Sequence, residues 1–249
     1  LGLVGSEMCI RDSINAFAIG FAEAALQRGF KNVTVYVMEL GWWVMPDKAK
    51  EYTKKLIDDY GCDVIAFTED TPSVIETCQE YFEKGKTVYT FAHYSPMLQY
   101  GPNVTVSGQL VHWEVIYEDI LMKVYLGVYN TTNLENVDYW WLLKEGAVEM
   151  GCDYGVPINP IFVDDLKNVY LVDNITGKKM TAYDYVMMRL NQMKEESPTF
   201  DPFTGPLTGY YLNGTKVTIP AGYRLGHDEL WSMQWFVEWV NVTATAGGS

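Results

Sequence analysis

Cysteine is scarce in this chain. Four occur in 249 residues, and none belongs to a Cys-x-x-Cys pair or a metal-ligand spacing, so neither a zinc site nor a redox motif is indicated. Basic residues are few as well: 18 lysines and arginines face 32 aspartates and glutamates, a formal charge of -14. That balance argues against nucleic acid as a partner and disfavours an anionic membrane surface, since both reward clustered cations. Apolar runs stay short of the roughly 18–20 residues that span a bilayer, and no signal peptide is visible. Histidine is limited to His93, His112 and His227, far apart in sequence. No Gly-x-Ser-x-Gly elbow and no phosphate-cradling glycine loop occurs, which leaves an enzyme little to be built from. The many acidic residues place carboxylate pairs by chance alone, so the acidity reads as a solvated surface. No cofactor or metal is expected.

What is present is apolar mass and a strict order. At 48 % hydrophobic residues, the chain can form one large or two modest domains with real cores. Leu1–Ser13, LGLVGSEMCIRDS, has no clear period and resembles translated sequencing adapter. It is set apart from fold reasoning together with Cys9, on the expectation that the natural N-terminus is missing. A glycine-rich first strand, LGLVGS, is the alternative. Cys62, Cys78 and Cys152 then remain, expected as buried thiols or as one disulfide with an odd thiol.

Asn-x-Ser/Thr triplets occur at Asn32, Asn103, Asn130, Asn174, Asn213 and Asn241, none with a central proline. Six exceed what chance would place in this composition. They point to a eukaryotic secretory pathway with surface glycans at these asparagines.

The first half alternates strand and helix patterns. A helix is expected over Ile14–Arg28, stopped by Gly29, then a β-branched strand over Val33–Met38. A helix over Lys48–Tyr60 puts Ala49, Tyr52, Leu56 and Tyr60 on one face, with Asp47 expected as its cap. Asp63–Thr68 is the nearly continuous apolar run of a strand buried on both faces. Pro72 starts the next helix at its tolerated first position, Gly85 ends it, and Val88–Ala92 is the following strand. This is the signature of a parallel βαβαβ sheet, an α/β fold.

After Asn103 the pattern loosens. Val104–Val111 reads as a short strand and Trp113–Gly127 as an amphipathic helix. Asp138–Met150 reads as a strand pair or a strand and turn. A helix lies within Tyr183–Glu195, preceded by a turn at Asp173–Lys179, and Ser197–Thr208 is loop. Leu212–Ile219 carries an Asn-Gly hairpin signal. Asp228–Val240 is expected as a tryptophan-rich closing helix and Thr243–Ser249 as a frayed tail.

Three strand ends carry polar and aromatic residues. The first is Trp42 and Trp43, the second Glu69, Asp70, Thr71 and Pro72, the third His93, Tyr94, Ser95, Pro96 and Met97. Ligands of open α/β sheets bind beyond the carboxyl ends of the strands, and these clusters have the composition of a small-molecule cleft. Strand alternation would turn one indole inward and leave its neighbour to stack on a planar ligand. Asp70 could accept from a ligand hydroxyl or amine, cap the helix at Pro72, or do both.

In order along the chain, several stretches resemble the basic membrane lipoprotein family of periplasmic-binding-like proteins, particularly its purine-binding solute receptors. They are Ile14–Phe21, the Gly41-Trp42-Trp43 segment with Asp47, Lys50 and Glu51, and Asp63–Ile65 with Thr68–Pro72. Further on come His112, Trp113 and Tyr117, Tyr139–Val148 around Lys144–Gly146, Phe203–Pro206, and Met233 with Phe236–Glu238. The resemblance covers about Ile14 to Val240. It implies a periplasmic-binding-protein-like fold, class I, in which a ligand is held without catalysis between two hinged α/β lobes. The N-terminal lobe would be mostly missing here, leaving the second lobe. Its βαβαβ core would span 14–108, a crossover helix toward the missing lobe 109–137, and the remainder 138–240, with 1–13 set apart and 241–249 as tail.

The family's pattern implies that Trp42 or Trp43 stacks on a purine base or nucleoside, with Asp70, Thr71, Tyr94, Ser95 and Trp113 bordering the cleft. Pro96 stands near where the family has an aspartate, and the spacing from Trp43 to Asp47 is a residue or two longer. The implied setting is extracellular or at the cell surface. There the partner is an ABC transporter, or the transmembrane domain of a class C G-protein-coupled-receptor-like protein.

Overall fold

Alternating β-branched strands and amphipathic helices build a seven-stranded sheet with helices on both faces. The computed structural model describes residues 2–5, 11–135 and 137–245. The elements of the sheet half are β1 (Gly2–Gly5), α1 (Arg11–Gln27), β2 (Val35–Glu39), α2 (Pro46–Asp58), β3 (Val64–Phe67), α3 (Ser73–Glu83), β4 (Tyr89–Tyr94), β5 (Thr105–Val111) and α4 (Trp113–Tyr125). The rest is β6 (Val148–Met150), α5 (Pro160–Asn168), β7 (Tyr170–Val172), β8 (Lys179–Thr181), α6 (Ala182–Met193), β9 (Leu207–Tyr211), β10 (Lys216–Ile219), α7 (His227–Trp231), β11 (Trp235–Val237) and β12 (Val240–Ala244).

The large sheet runs β12-β2-β1-β3-β4-β5-β6. All its neighbours are parallel except β6, which turns back against β5. A second sheet runs β10-β9-β11, and β7 pairs with β8. Successive strand side chains feed opposite faces. In β2, Val35 and Val37 join α1, Trp235 and Phe236 in one core, while Met38 joins Leu56, Ile65, Ile75 and Cys78 in the other. Each strand of this half is therefore apolar on both sides, as a sheet covered by helices requires.

The N-terminal stretch takes part in this fold. Gly2–Gly5 pairs with β2 on one side and β3 on the other, with Leu3 and Val4 buried. Residues 2–5, expected to stand apart from the fold, are therefore an interior strand that sets the strand order. Cys9 lies outside the described residues. β2 and β3 are not neighbours, because β1 separates them.

Other expectations are corrected locally. The closing helix is only His227–Trp231; Trp235–Val237 and Val240–Ala244 are strands. The tail expected from 241 holds β12 along β2, and residues 246–249 lie outside the described residues. Of Asp138–Met150 only Val148–Met150 is strand, with no partner strand inside that stretch. Pro160–Asn168 forms a helix that periodicity did not mark, capped by the Asn159 side chain accepting from Ile161 N. The turn at Asp173–Lys179 joins β7 to β8.

The three cysteines beyond Cys9 are free and buried, and burial pushes the Cys78 thiol up to about 12. The second half is fastened to the first by Arg189, whose Nη2 donates to Glu23 on α1 and to Asp173, both at 2.8 Å. Among the described residues no helix is long and apolar enough to cross a membrane.

Candidate functional site

In this strand order the chain leaves β1 toward β2 on one side and returns to β3 on the other. That is the topological switch point, where open α/β sheets bind ligands. The loop after β2 makes the crevice asymmetric. Gly41 turns it with a φ of +93°, a conformation that costs a residue with a Cβ but not glycine. The loop then leans across the end of β1 to reach β3. There Trp43 O accepts from Asp70 N at 2.9 Å, and Met45 N donates to Glu69 Oε1 at 3.2 Å.

Glu69 is fully buried and holds this corner. It also accepts from Thr71 N at 3.1 Å and from Thr71 Oγ1 at 2.7 Å. Burial pushes its carboxyl pKa up, and these hydrogen bonds oppose the rise. The sequence places Glu69 in the strand-end cluster but gives it no role of its own, because nothing in a one-dimensional pattern tells a buried acid from its exposed neighbour Asp70.

Both indoles fall beyond β2, so strand alternation does not separate them. Trp42 is 67 % exposed and Trp43 38 %. Asp47 does not cap α2: the cap position is Met45, Pro46 is the first helical residue, and Asp47 sits in the first turn, where its charge suits the helix dipole. Asp70 does not cap α3 either. Pro72 occupies that cap position, and the Thr71 hydroxyl meets Ser73 Oγ at 2.7 Å. The Asp70 carboxylate stays two-fifths exposed, and burial raises its pKa.

At the end of β4, His93 is buried, with Nδ1 2.6 Å from the Gln109 amide nitrogen on β5. Its Nε2 has no hydrogen-bond partner and lies 3.9 Å from Asp70 Oδ1. Burial holds the imidazole pKa down to about 4, so the ring is neutral. Tyr94 stacks on it with ring centroids 4.0 Å apart and takes a φ of +62°. Left-handed backbone is uncommon for a residue with a Cβ and, where it occurs, gathers at functional sites. The Tyr94 hydroxyl pKa is raised by burial, then by the charges of Asp70 and Asp12.

Ser95 is exposed, and its N–H closes a turn onto His93 O at 2.8 Å. Trp113 begins α4 at the end of β5, half exposed, its ring near-parallel to that of Tyr117 at 6.4 Å. Beside it His112 joins Glu149 and Glu114 at 2.7 and 2.6 Å, and those two carboxylates raise its pKa. The seven residues singled out from sequence therefore share one edge of the sheet, and among them Trp43 meets Asp70, Thr71 meets Glu69, and Asp70 and Tyr94 lie against His93.

The Thr71 hydroxyl donates to the Glu69 carboxylate and meets Ser73 Oγ. Among the described residues no group of His, Cys, Asp and Glu could hold a metal ion. A separate groove of about 460 Å³ opens at the other end of the strands, lined in part by Thr34, Tyr210, Tyr211, Glu238 and Trp239. Of the six sequon asparagines, Asn103 is half-buried and the others are exposed.

The mostly parallel sheet and its flanking helices are a periplasmic-binding-like α/β fold. No family model matches the chain. Over 143 residues it is 28 % identical to a protein of Haloferax volcanii whose provisional name is ABC transporter glucose-binding protein TsgA13. That match takes in 57 % of this chain but 32 % of the relative, so the chain spans about a third of its length.

Proposed function

We propose that this chain is one lobe of an extracellular solute-binding protein that holds a small planar ligand, a purine base or nucleoside, without catalysis. The observation that carries this reading is the β2 loop, which crosses the switch point and ties Trp43 through its backbone to Asp70, whose carboxylate lies 3.9 Å from His93 Nε2. A flat apolar surface next to a few directional polar groups is what a planar, hydrogen-bonding ligand needs. Base stacking on an indole contributes about 1–3 kcal/mol.

The resemblance to the basic membrane lipoprotein family supports the purine assignment, with Trp42, Ser95 and Trp113 at the rim. The name of the Haloferax volcanii relative, a glucose-binding protein, supports a solute-binding role and favours a sugar as the second reading.

In this reading a second α/β lobe closes over the crevice. Its seat is α4, which has no buried residue and exposes Leu121, Met122, Val124 and Tyr125. An apolar face of this kind marks an interaction surface. The setting is a transporter's substrate-binding component, as the relative's name suggests, or a receptor ectodomain, which the sequons favour through glycans at the exposed Asn32, Asn130, Asn174, Asn213 and Asn241 and at the half-buried Asn103. The acidic balance speaks against nucleic acid in either setting.

The test is a thermal-shift screen of adenine, guanine, their nucleosides and glucose on this chain, beside Trp42→Ala and Trp43→Ala. The reading expects a rise in melting temperature with a purine ligand that Trp43→Ala abolishes. A rise with glucose alone would replace the purine by the sugar. No rise across the panel would contradict the solute-binding role.

A further inference from the structure

At the ends of β3 and β4 two buried side chains have an atom without a hydrogen-bond partner, the Thr68 hydroxyl and His93 Nε2, and the second lies beside Asp70. An amide nitrogen can only donate, so at 2.6 Å from the Gln109 amide nitrogen the His93 Nδ1 accepts. The neutral ring then carries its proton on Nε2. That N–H is the unpartnered atom, on a ring only 2 % exposed, and it faces the Asp70 carboxylate across 3.9 Å, too far for a hydrogen bond. Asp70 in turn accepts no hydrogen bond from any described side chain, and its outer side is open to solvent. Buried donors of this kind are rare and call for a partner.

We propose that the ligand presents a hydroxyl group to this pair, accepting from His93 Nε2–H and donating to the Asp70 carboxylate. The proposal rests on the solute-binding reading above and narrows it to ligands that carry a sugar or another polyol. An oxygen about 2.8 Å from both atoms fits over the 3.9 Å gap. The chemistry of the two groups selects its type. A carbonyl only accepts and would turn a lone pair toward Asp70, while an ammonium only donates and would oppose the His93 proton. A hydroxyl does both. A purine edge also offers a donor beside an acceptor, but Tyr94 lies over the imidazole face and the Nε2 atom is enclosed. A single protruding oxygen reaches an enclosed donor more readily than the side of a fused ring does. The indoles then cover the apolar part of the ligand while its hydroxyl reaches inward.

The experiment is calorimetric titration of the chain with three probes: inosine, glucose and the free base hypoxanthine. It is repeated on Asp70→Asn, on His93→Phe, which keeps a ring without the donor, and on His93→Gln, which keeps a donor. Asp70 is partly exposed, so Asp70→Asn leaves the fold intact even where a His93 variant does not. Inosine or glucose should bind at least about tenfold tighter than hypoxanthine. Asp70→Asn should remove that advantage and leave any hypoxanthine binding as it was, and His93→Gln should retain more of it than His93→Phe. Hypoxanthine binding as tightly as inosine, or Asp70→Asn weakening every probe alike, would overturn the hydroxyl while leaving the solute-binding reading intact. No heat from any probe would overturn both.

Discussion

The ends of β4 and β5 lie side by side, and each carries a histidine in an opposite setting. His93 is buried, neutral and left with an unused proton, while His112 is held between two carboxylates that both favour its charged form. The first arrangement costs stability that a ligand can return, and the second is already satisfied. An unsatisfied polar group inside a folded protein is a place where binding energy is held in reserve. By that criterion the crevice between β2 and β4 is the proposed binding edge, and the β5–α4 junction is a structural joint beside it.

The contrast can be broken most severely at the acids that support each side. Glu69→Ala leaves Met45 N, Thr71 N and the Thr71 hydroxyl without their buried acceptor, and should cost about 2–4 kcal/mol in chemical denaturation. The matching change on the other side, Glu149→Ala, removes a partly exposed acceptor and should cost about 1 kcal/mol. Equal losses would remove the distinction between the two sides.

Acidity separates the two rings by sign. His93 titrates near its ordinary 6.5 when unfolded and about 4 when folded, so the unfolded chain takes up the proton first. Its contribution is full above pH 6.5 and falls as pH drops toward 4, by on the order of 3 kcal/mol. His112 runs the other way. Its folded pKa is raised, so its contribution is present below 6.5 and is lost as pH rises through the raised value. Melting curves across pH on His93→Gln and His112→Gln should lose the acid limb and the alkaline limb respectively.

Smaller effects sharpen the ligand side. Trp43→Ala should weaken ligand binding by about 1–3 kcal/mol, Trp42→Ala by less, and Trp113→Ala by little, as read by calorimetry. Tyr94→Gly relieves the +62° backbone and should stabilise the unliganded chain by up to about 1 kcal/mol, while weakening binding through loss of the ring.

Much of the sheet was legible because its signals are local. β-branched runs gave β2, β3 and β4 nearly to the residue, and the glycines after α1, α2 and α3 marked their ends. The Asn213-Gly214 pair announced the turn between β9 and β10. Strand order was not legible, since it depends on pairing between distant segments and on a first strand that resembled an adapter. β11 was mistaken for helix because Trp235, Phe236 and Val237 are all buried, which erases the period of two that marks a strand. Within the site, the residue types at each strand end could be read off, but the unused His93 proton could not. It exists only because Gln109 comes from a neighbouring strand and Asp70 stops short.

The most direct test of the account reads both rings at once, by nitrogen-15 NMR of the histidine side chains during titration with inosine or glucose. His93 at neutral pH is expected as the neutral tautomer protonated on Nε2, with its signals moving as ligand is added while those of His112 stay in place. Ligand binding that leaves His93 unmoved, or that moves His112 alone, would contradict it.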